Sequence, residues 1–97
     1  MLAYIASKGA LIGMARALAV GLGGDRIAVT AVAPGLTRTP ATDVVPAEEF
    51  TDVSAHQALP RPLTPDDTAA VVAMLAGDDA AALTGQTLTV DGGLVLR

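Results

Sequence analysis

Cysteine and tryptophan are absent from this sequence, and lysine, histidine, tyrosine and phenylalanine each occur once, as Lys8, His56, Tyr4 and Phe50. Without cysteine there is no disulfide, no thiolate-bound zinc and no thiol nucleophile, a pattern that suits a reducing cytoplasm. A single histidine without ligand partners at useful spacing leaves no metal site, and we expect His56 exposed on a loop. With two aromatic residues among 97, a core must rest on Ala, Val and Leu. Positive charge is also scarce. Six Lys and Arg face ten Asp and Glu, the net charge is −4 and no basic run occurs. This argues against a nucleic-acid surface and against an anionic-membrane binder.

Long uninterrupted apolar runs are missing too. The apolar opening, residues 1–24, is broken by Lys8 and Arg16, whereas a spanning helix needs about 20 mostly apolar residues. A signal peptide carries its positive charge ahead of the apolar core rather than inside it. The expectation is a soluble chain that forms one small domain, since 52% of its residues are hydrophobic and 16% charged.

The order of elements follows from the pattern. Residues 2–22 form a helix that is apolar nearly all round, closed by Gly21, Gly23 and Gly24, and such a helix needs neighbours on most sides. Gly9, Gly13 and Ala17 make a smooth stripe suited to close packing. Residues 27–33, Ile-Ala-Val-Thr-Ala-Val-Ala, read as a parallel strand covered on both faces. The Pro-rich stretch 36–63 reads as a long loop with a short helix near 46–54. Thr64-Pro65-Asp66-Asp67 starts a helix that runs to about Ala76. A further turn is expected at 78–83, where Asp78 and Asp79 end a helix turn. Thr87-Leu88-Thr89-Val90 is a second strand, ended by the turn Asp91-Gly92-Gly93. Alternating helix and apolar strand define an α/β fold with parallel strands.

Two segments carry candidate chemistry. Tyr4 and Lys8 lie one helical turn apart on the same face. A free phenol has a pKa of about 10, so it is a poor base at neutral pH, and a cation within roughly 4–6 Å favours the phenolate. That spacing serves a catalytic pair or an ordinary surface pair equally well. The second segment is Pro34-Gly35-Leu36-Thr37-Arg38-Thr39-Pro40, at the carboxyl end of the first strand. Ligands bind along that edge in open α/β sheets. Pro34 and Gly35 release the chain from the sheet, Leu36 and Thr37 offer backbone groups, and Thr39 adds a hydroxyl.

Together these segments resemble the short-chain dehydrogenase/reductase family, and the resemblance covers nearly the whole chain. Tyr4-Ile5-Ala6-Ser7-Lys8 is similar to its Y-x-x-x-K motif, and "RALAVGL" with "IAVTAVAPG" to its helix and sixth strand. "PGLTRT" is similar to its P-G-x-[IV]-x-T cofactor loop, and "LTGQTLTVDGG" to its last strand and closing turn. The resemblance implies the carboxyl-terminal part of a Rossmann-like doubly wound parallel sheet, with residues 1–97 as a partial domain.

It also implies an NAD- or NADP-dependent oxidoreductase acting on a small-molecule carbonyl or alcohol. Tyr4 is then the general acid/base, and Lys8 tunes it and binds the nicotinamide ribose. The cofactor-binding set is Tyr4, Lys8, Pro34, Gly35, Thr37 and Thr39, with the Thr37 backbone at the carboxamide and the Thr39 hydroxyl at the cofactor. Residues 41–63 become the substrate loop, and helix 2–22 an interface of a homo-oligomer. Thr30 stands where the family often has Asn, and Thr37 where it prefers Ile or Val.

The family's Gly-rich turn has no counterpart. Gly21-x-Gly23-Gly24 follows a helix, and Arg26 stands where the last glycine of G-x-G-x-x-G belongs. The catalytic Ser and relay Asn of the family precede the Tyr by more residues than Tyr4 has before it, and Ser7 reads as a packing residue. The expectation is therefore a truncated chain that is marginally stable alone and without turnover. Its alternatives are a non-catalytic interaction or dimerisation fragment, and a truncated reading frame.

Overall fold

Alanine and leucine are strong helix formers, and helix α1 (Leu2–Leu22) runs through the whole Ala- and Leu-rich opening. The computed structural model describes residues 1–96. After α1 come strand β1 (Ala31–Pro34), helices α2 (Ala47–His56) and α3 (Pro65–Leu75), and strand β2 (Thr87–Val90). Single 3-10 turns lie at Gly23–Asp25, Pro40–Thr42 and Asp78–Ala80. The α/β reading holds, and the short helix expected inside the Pro-rich stretch is α2.

The strands pair in parallel. The Ala31 amide donates to the Gln86 carbonyl (3.0 Å), and four residues on, the Gly35 amide donates to the Val90 carbonyl (2.8 Å). Each strand keeps one open edge among the described residues, because the sheet has two strands. β1 is shorter than the apolar run implied. Residues 27–30 are outside the ladder because β2 is only four residues long. The run's polar groups bond to the turn before β2 instead. The Val29 amide donates to Thr84 Oγ1 (3.1 Å), and Thr30 Oγ1 donates to the Leu83 carbonyl (3.1 Å). The Gly85 amide donates to the Val29 carbonyl (2.7 Å). Gly85 has φ +71°, a left-handed conformation open to glycine.

The chain divides into two compact units, one of Met1–Val32 with Ala73–Leu88 and the other of Ala33–Val72 with the residues from Thr89 on. In the first, α1 buries only Ala15 and Ala19. Gly9 and Gly13 have no atom within 4 Å of where a side chain would start, so the small-residue stripe meets no neighbour among the described residues. The expected close packing on that stripe is not made within the chain. The glycine run does not reverse α1 either. Gly23 stays right-handed, and the left-handed residue is Arg26 (φ 62°), whose amide donates to the Gly23 carbonyl (3.0 Å).

With the turn after it, α1 (Leu2–Asp25) is long and apolar enough by length and composition to cross a bilayer. The core helix of a soluble protein meets the same measure, and Lys8 and Arg16 lie within the span.

In the second unit, Phe50, Leu63, Thr37, Gln57 and Asp91 are buried. Leu63 pairs with Thr37 in an isolated parallel bridge. The turn after β2 is clasped to the segment after α2. The Ala58 amide donates to the Gly93 carbonyl (3.3 Å), and the Leu59 amide donates to the Gly92 carbonyl (2.9 Å). Gly92 (φ 67°) and Gly93 (φ 77°) make the Asp91-Gly92-Gly93 turn read from the sequence. Buried Gln57 donates from Nε2 to the carbonyls of Leu59 (3.0 Å) and Arg61 (2.8 Å).

At the start of α3 the Asp67 carboxylate reaches back to the Thr64 amide (2.8 Å) and takes both Arg61 guanidinium nitrogens (2.9 and 2.7 Å). The expected Thr64 cap is thus made by the side chain three residues on. Arg61 first, then the Thr64 amide, hold the Asp67 carboxyl well below the ordinary carboxylate range.

Candidate active site

In the first unit, the candidate residues lie in the opening turns of α1. Tyr4 is 62% exposed, and the Lys8 ammonium lies 5.2 Å from the centre of its ring. This follows from i, i+4 spacing, which puts the longer side chain back over the preceding turn. Lys8 is exposed and takes part in no ion pair among the described residues. The Ser7 hydroxyl donates to the Tyr4 carbonyl (2.7 Å), which occupies it within the helix.

In the second unit, the candidate residues lie in the segment after β1. Pro34 ends the strand, and Gly35 passes closely over Asp91. A side-chain carbon on Gly35 would sit 2.8 Å from the Asp91 Cα and Cβ, and 3.1 Å from Leu63 Cδ1. Only glycine fits there, and the space belongs to protein atoms. Thr37 is buried, and its hydroxyl donates to the Gly35 carbonyl (3.0 Å). Its own carbonyl accepts from Thr42 Oγ1 (2.8 Å), which is also 3.0 Å from the Thr39 carbonyl. The half-buried Thr39 donates its amide to Thr42 Oγ1 (2.9 Å). The Thr37 carbonyl, read from the sequence as an available group, is therefore already engaged.

Residues 34–42 thus form a braced loop, and Thr42 is the brace that the sequence reading passed over. The signal was present as Thr39-Pro40-Ala41-Thr42, since a threonine three residues past another at a tight turn can close it. Asp91, read from the sequence as a turn residue, also acts as a buried acceptor. It accepts the amides of Gly93 on Oδ1 (2.9 Å) and Val95 on Oδ2 (3.1 Å). Desolvation pushes its carboxyl up, but the amides of Val95, Gly93 and Leu94 together outweigh this and hold it below the usual carboxylate range. Arg38 and Phe50 are the second omission. The guanidinium lies over the ring at 4.3 Å, a pairing across twelve positions that no local pattern signals. His56 is exposed as expected but ends helix α2 rather than lying on a loop, and its Nδ1 donates to the Asp52 carbonyl (2.7 Å). Among the described residues there is no metal-ligand cluster.

The chain thus holds a parallel strand pair, a helix bearing Tyr-x-x-x-Lys and a braced loop after the first strand, and comparison with known proteins identifies the family that carries these features. The family model described as enoyl-(acyl carrier protein) reductase matches residues 1–95. The chain belongs to the short-chain dehydrogenase/reductase family.

It is 40% identical over 90 residues to the meso-2,3-butanediol dehydrogenase of Serratia marcescens, covering 93% of this chain and 36% of that enzyme. Among solved structures, 4-hydroxyisoleucine dehydrogenase complexed with NADH matches with a TM-score of 0.86 at 31% identity, over 97% of this chain and 40% of that one. A blue fluorescent protein from a metagenomic library, in complex with NADPH, matches with a TM-score of 0.83 at 40% identity, over 96% and 37%. The chain therefore spans between a third and two-fifths of the length of these relatives.

Proposed function

We propose that this chain carries the acid/base half of an NAD(P)-dependent oxidoreductase that interconverts a small carbonyl compound and its alcohol. The observation that supports it most directly is the Tyr4–Lys8 pair at 5.2 Å, on a segment matched throughout by the family. The donors present suit a nicotinamide nucleotide. An exposed phenol, an unpaired ammonium and the Thr39 hydroxyl match ribose hydroxyls and a carboxamide. When bound, the nicotinamide supplies or accepts the hydride.

The chain's own residues manage the proton and the positions. Tyr4 holds a proton at its phenolic oxygen, gives it to the substrate oxygen in reduction and takes it back in oxidation. Lys8 lies over the Tyr4 ring and holds the ribose. Pro34 and Gly35 turn the loop at its tight crossing with Asp91, and Thr37 and Thr39 present the loop to the cofactor. Residues 41–63 shape the substrate side. The pyrophosphate-binding Gly-rich turn comes from outside residues 1–97, on the same polypeptide or another, so these residues alone turn over little. The lack of cysteine suits a cytoplasmic setting.

The test supplies the missing half. Residues 1–97 are assayed with NADH or NADPH and small diketones, alone and fused behind the amino-terminal portion of the Serratia marcescens enzyme that they do not match. We expect turnover in the fusion only, and a loss of roughly 10²–10⁴-fold with Tyr4→Phe. A folded, active fusion indifferent to Tyr4 sinks the reading.

A second reading rests on the surface of α1, where Leu2, Ile5, Leu11, Met14, Leu18 and Val20 are exposed. Exposed apolar residues all round the helix suit a non-catalytic fragment that docks on a full-length relative, or a homo-oligomer formed through helix 2–22. Gel filtration with and without that relative separates these cases from the first.

A further inference from the structure

Helix α2 is fastened by very little. Of its ten residues, Phe50 alone is buried, at 4% exposure, and Gln57 just past its end is the next fixed point. Its amino-terminal cap, Pro46, makes no side-chain hydrogen bond. The Phe50 ring carries the Arg38 guanidinium over its face at 4.3 Å. Arg38 forms no ion pair among the described residues, so the ring is its recorded partner.

The arginine itself is well placed. Its neighbours Thr37 and Thr39 are tied by hydrogen bonds to Gly35 and Thr42. A planar cation on a fixed backbone can therefore grip a ring on a loosely attached helix. Stacking of this kind favours arginine over lysine, because the guanidinium plane lies flat on the ring.

We infer that Arg38 is a positioning residue, a latch that holds helix α2 to the braced loop 34–42 through Phe50. It deepens the proposed function and rests on that reading for its consequence. Loop 34–42 is there the cofactor segment and α2 part of the substrate segment, so the latch makes the placing of one depend on the order of the other. Substrate specificity carried by α2 then depends on an arginine that need not touch substrate.

The test uses the whole chain without cofactor, so its outcome is independent of whether Tyr4 is catalytic. Phe50, Tyr4 and the imidazole of His56 are the aromatic rings of the chain, and a ring-current shift of the Arg38 side-chain protons that vanishes in Phe50→Leu, where His56 is kept, reports the stack directly. Amide exchange across 47–56 is then compared for the natural chain, Arg38→Ala, Arg38→Lys, Phe50→Leu and the double variant. The latch predicts exchange faster by roughly three- to tenfold in Arg38→Ala. It also predicts partial recovery in Arg38→Lys, and no further effect of Arg38→Ala once Phe50 is Leu.

The Gly85 amide, bonded to Val29 in the other unit, serves as the folding control and should not change. Unshifted Arg38 protons overturn the latch even if a variant unfolds. So does α2 exchange that responds to Phe50→Leu but not to Arg38→Ala.

Discussion

The Lys8 ammonium sits over the face of the Tyr4 ring, 5.2 Å from its centre. A cation held there is attracted by the ring itself, which at an exposed site contributes about 0.5–1 kcal/mol. The pair is thus assembled by helix geometry and ring electrostatics before any ligand arrives.

Removing only the phenolic oxygen should therefore separate chemistry from folding. Tyr4→Phe keeps the ring under Lys8, and thermal stability should stay within about 0.5 kcal/mol of the natural chain. In the fusion that restores turnover, the same change should remove nearly all of it. Lys8→Met should loosen the ring and lower activity together, read by melting and by steady-state rates.

Gly35 offers a sharper test of the loop. An added methyl meets the Asp91 main chain at 2.8 Å, an atom that cannot swing aside. We expect Gly35→Ala to destabilise by about 1–3 kcal/mol, the usual range for forcing extra carbon into packed space. Urea denaturation measures it. Gly92→Ala should also destabilise, because its φ of +67° is left-handed and Gln57 Nε2 lies 2.5 Å from the added carbon.

The stripe on α1 predicts the opposite sign. Gly9 and Gly13 are helix-interior glycines with nothing within 4 Å. Gly9→Ala and Gly13→Ala should each stabilise the monomer by roughly 0.5–1 kcal/mol through helix propensity. If α1 packs against a second copy by its glycine stripe, the same variants should weaken association. Melting temperature and sedimentation, measured together, tell the two effects apart.

Acid should loosen the second unit. Asp67 and Asp91 are both held below the ordinary carboxylate range, so their folded forms bind protons less readily than the unfolded chain does. Their contribution is complete above the unfolded value of about 3.9 and is lost as pH falls through the lower folded values. Stability should be insensitive to these two groups from pH 6 to 8 and decline below about pH 4. Asp91→Asn should flatten part of that decline, and the exchange of the Gly93 and Val95 amides should report it locally.

Much of the fold could be read in advance because its signals are local. Helix α1 covers residues 2–22 as the Ala- and Leu-rich pattern required, and Thr87–Val90 is the second strand read from the sequence before the turn Asp91-Gly92-Gly93. Tyr4 and Lys8 meet because i, i+4 residues on a helix must. The first strand was overextended for a physical reason. An apolar β-branched run shows which residues suit a strand, but the ladder is only as long as its partner, and β2 offers four residues.

The sequence by itself determined the order of helices and parallel strands, the pairing of Tyr4 with Lys8 and the family to which the chain belongs. The tertiary structure decided what each group is already doing. It tied the Thr37 carbonyl to Thr42, filled the space beside Gly35 with Asp91, and set Arg38 on Phe50. Periodicity and spacing act over one or two turns of chain. The Thr42 brace has a local signal in Thr39-Pro40-Ala41-Thr42, whereas Gly35 with Asp91 and Arg38 with Phe50 join residues whose sequence neighbours carry no trace of the partner, and packing in three dimensions selects them.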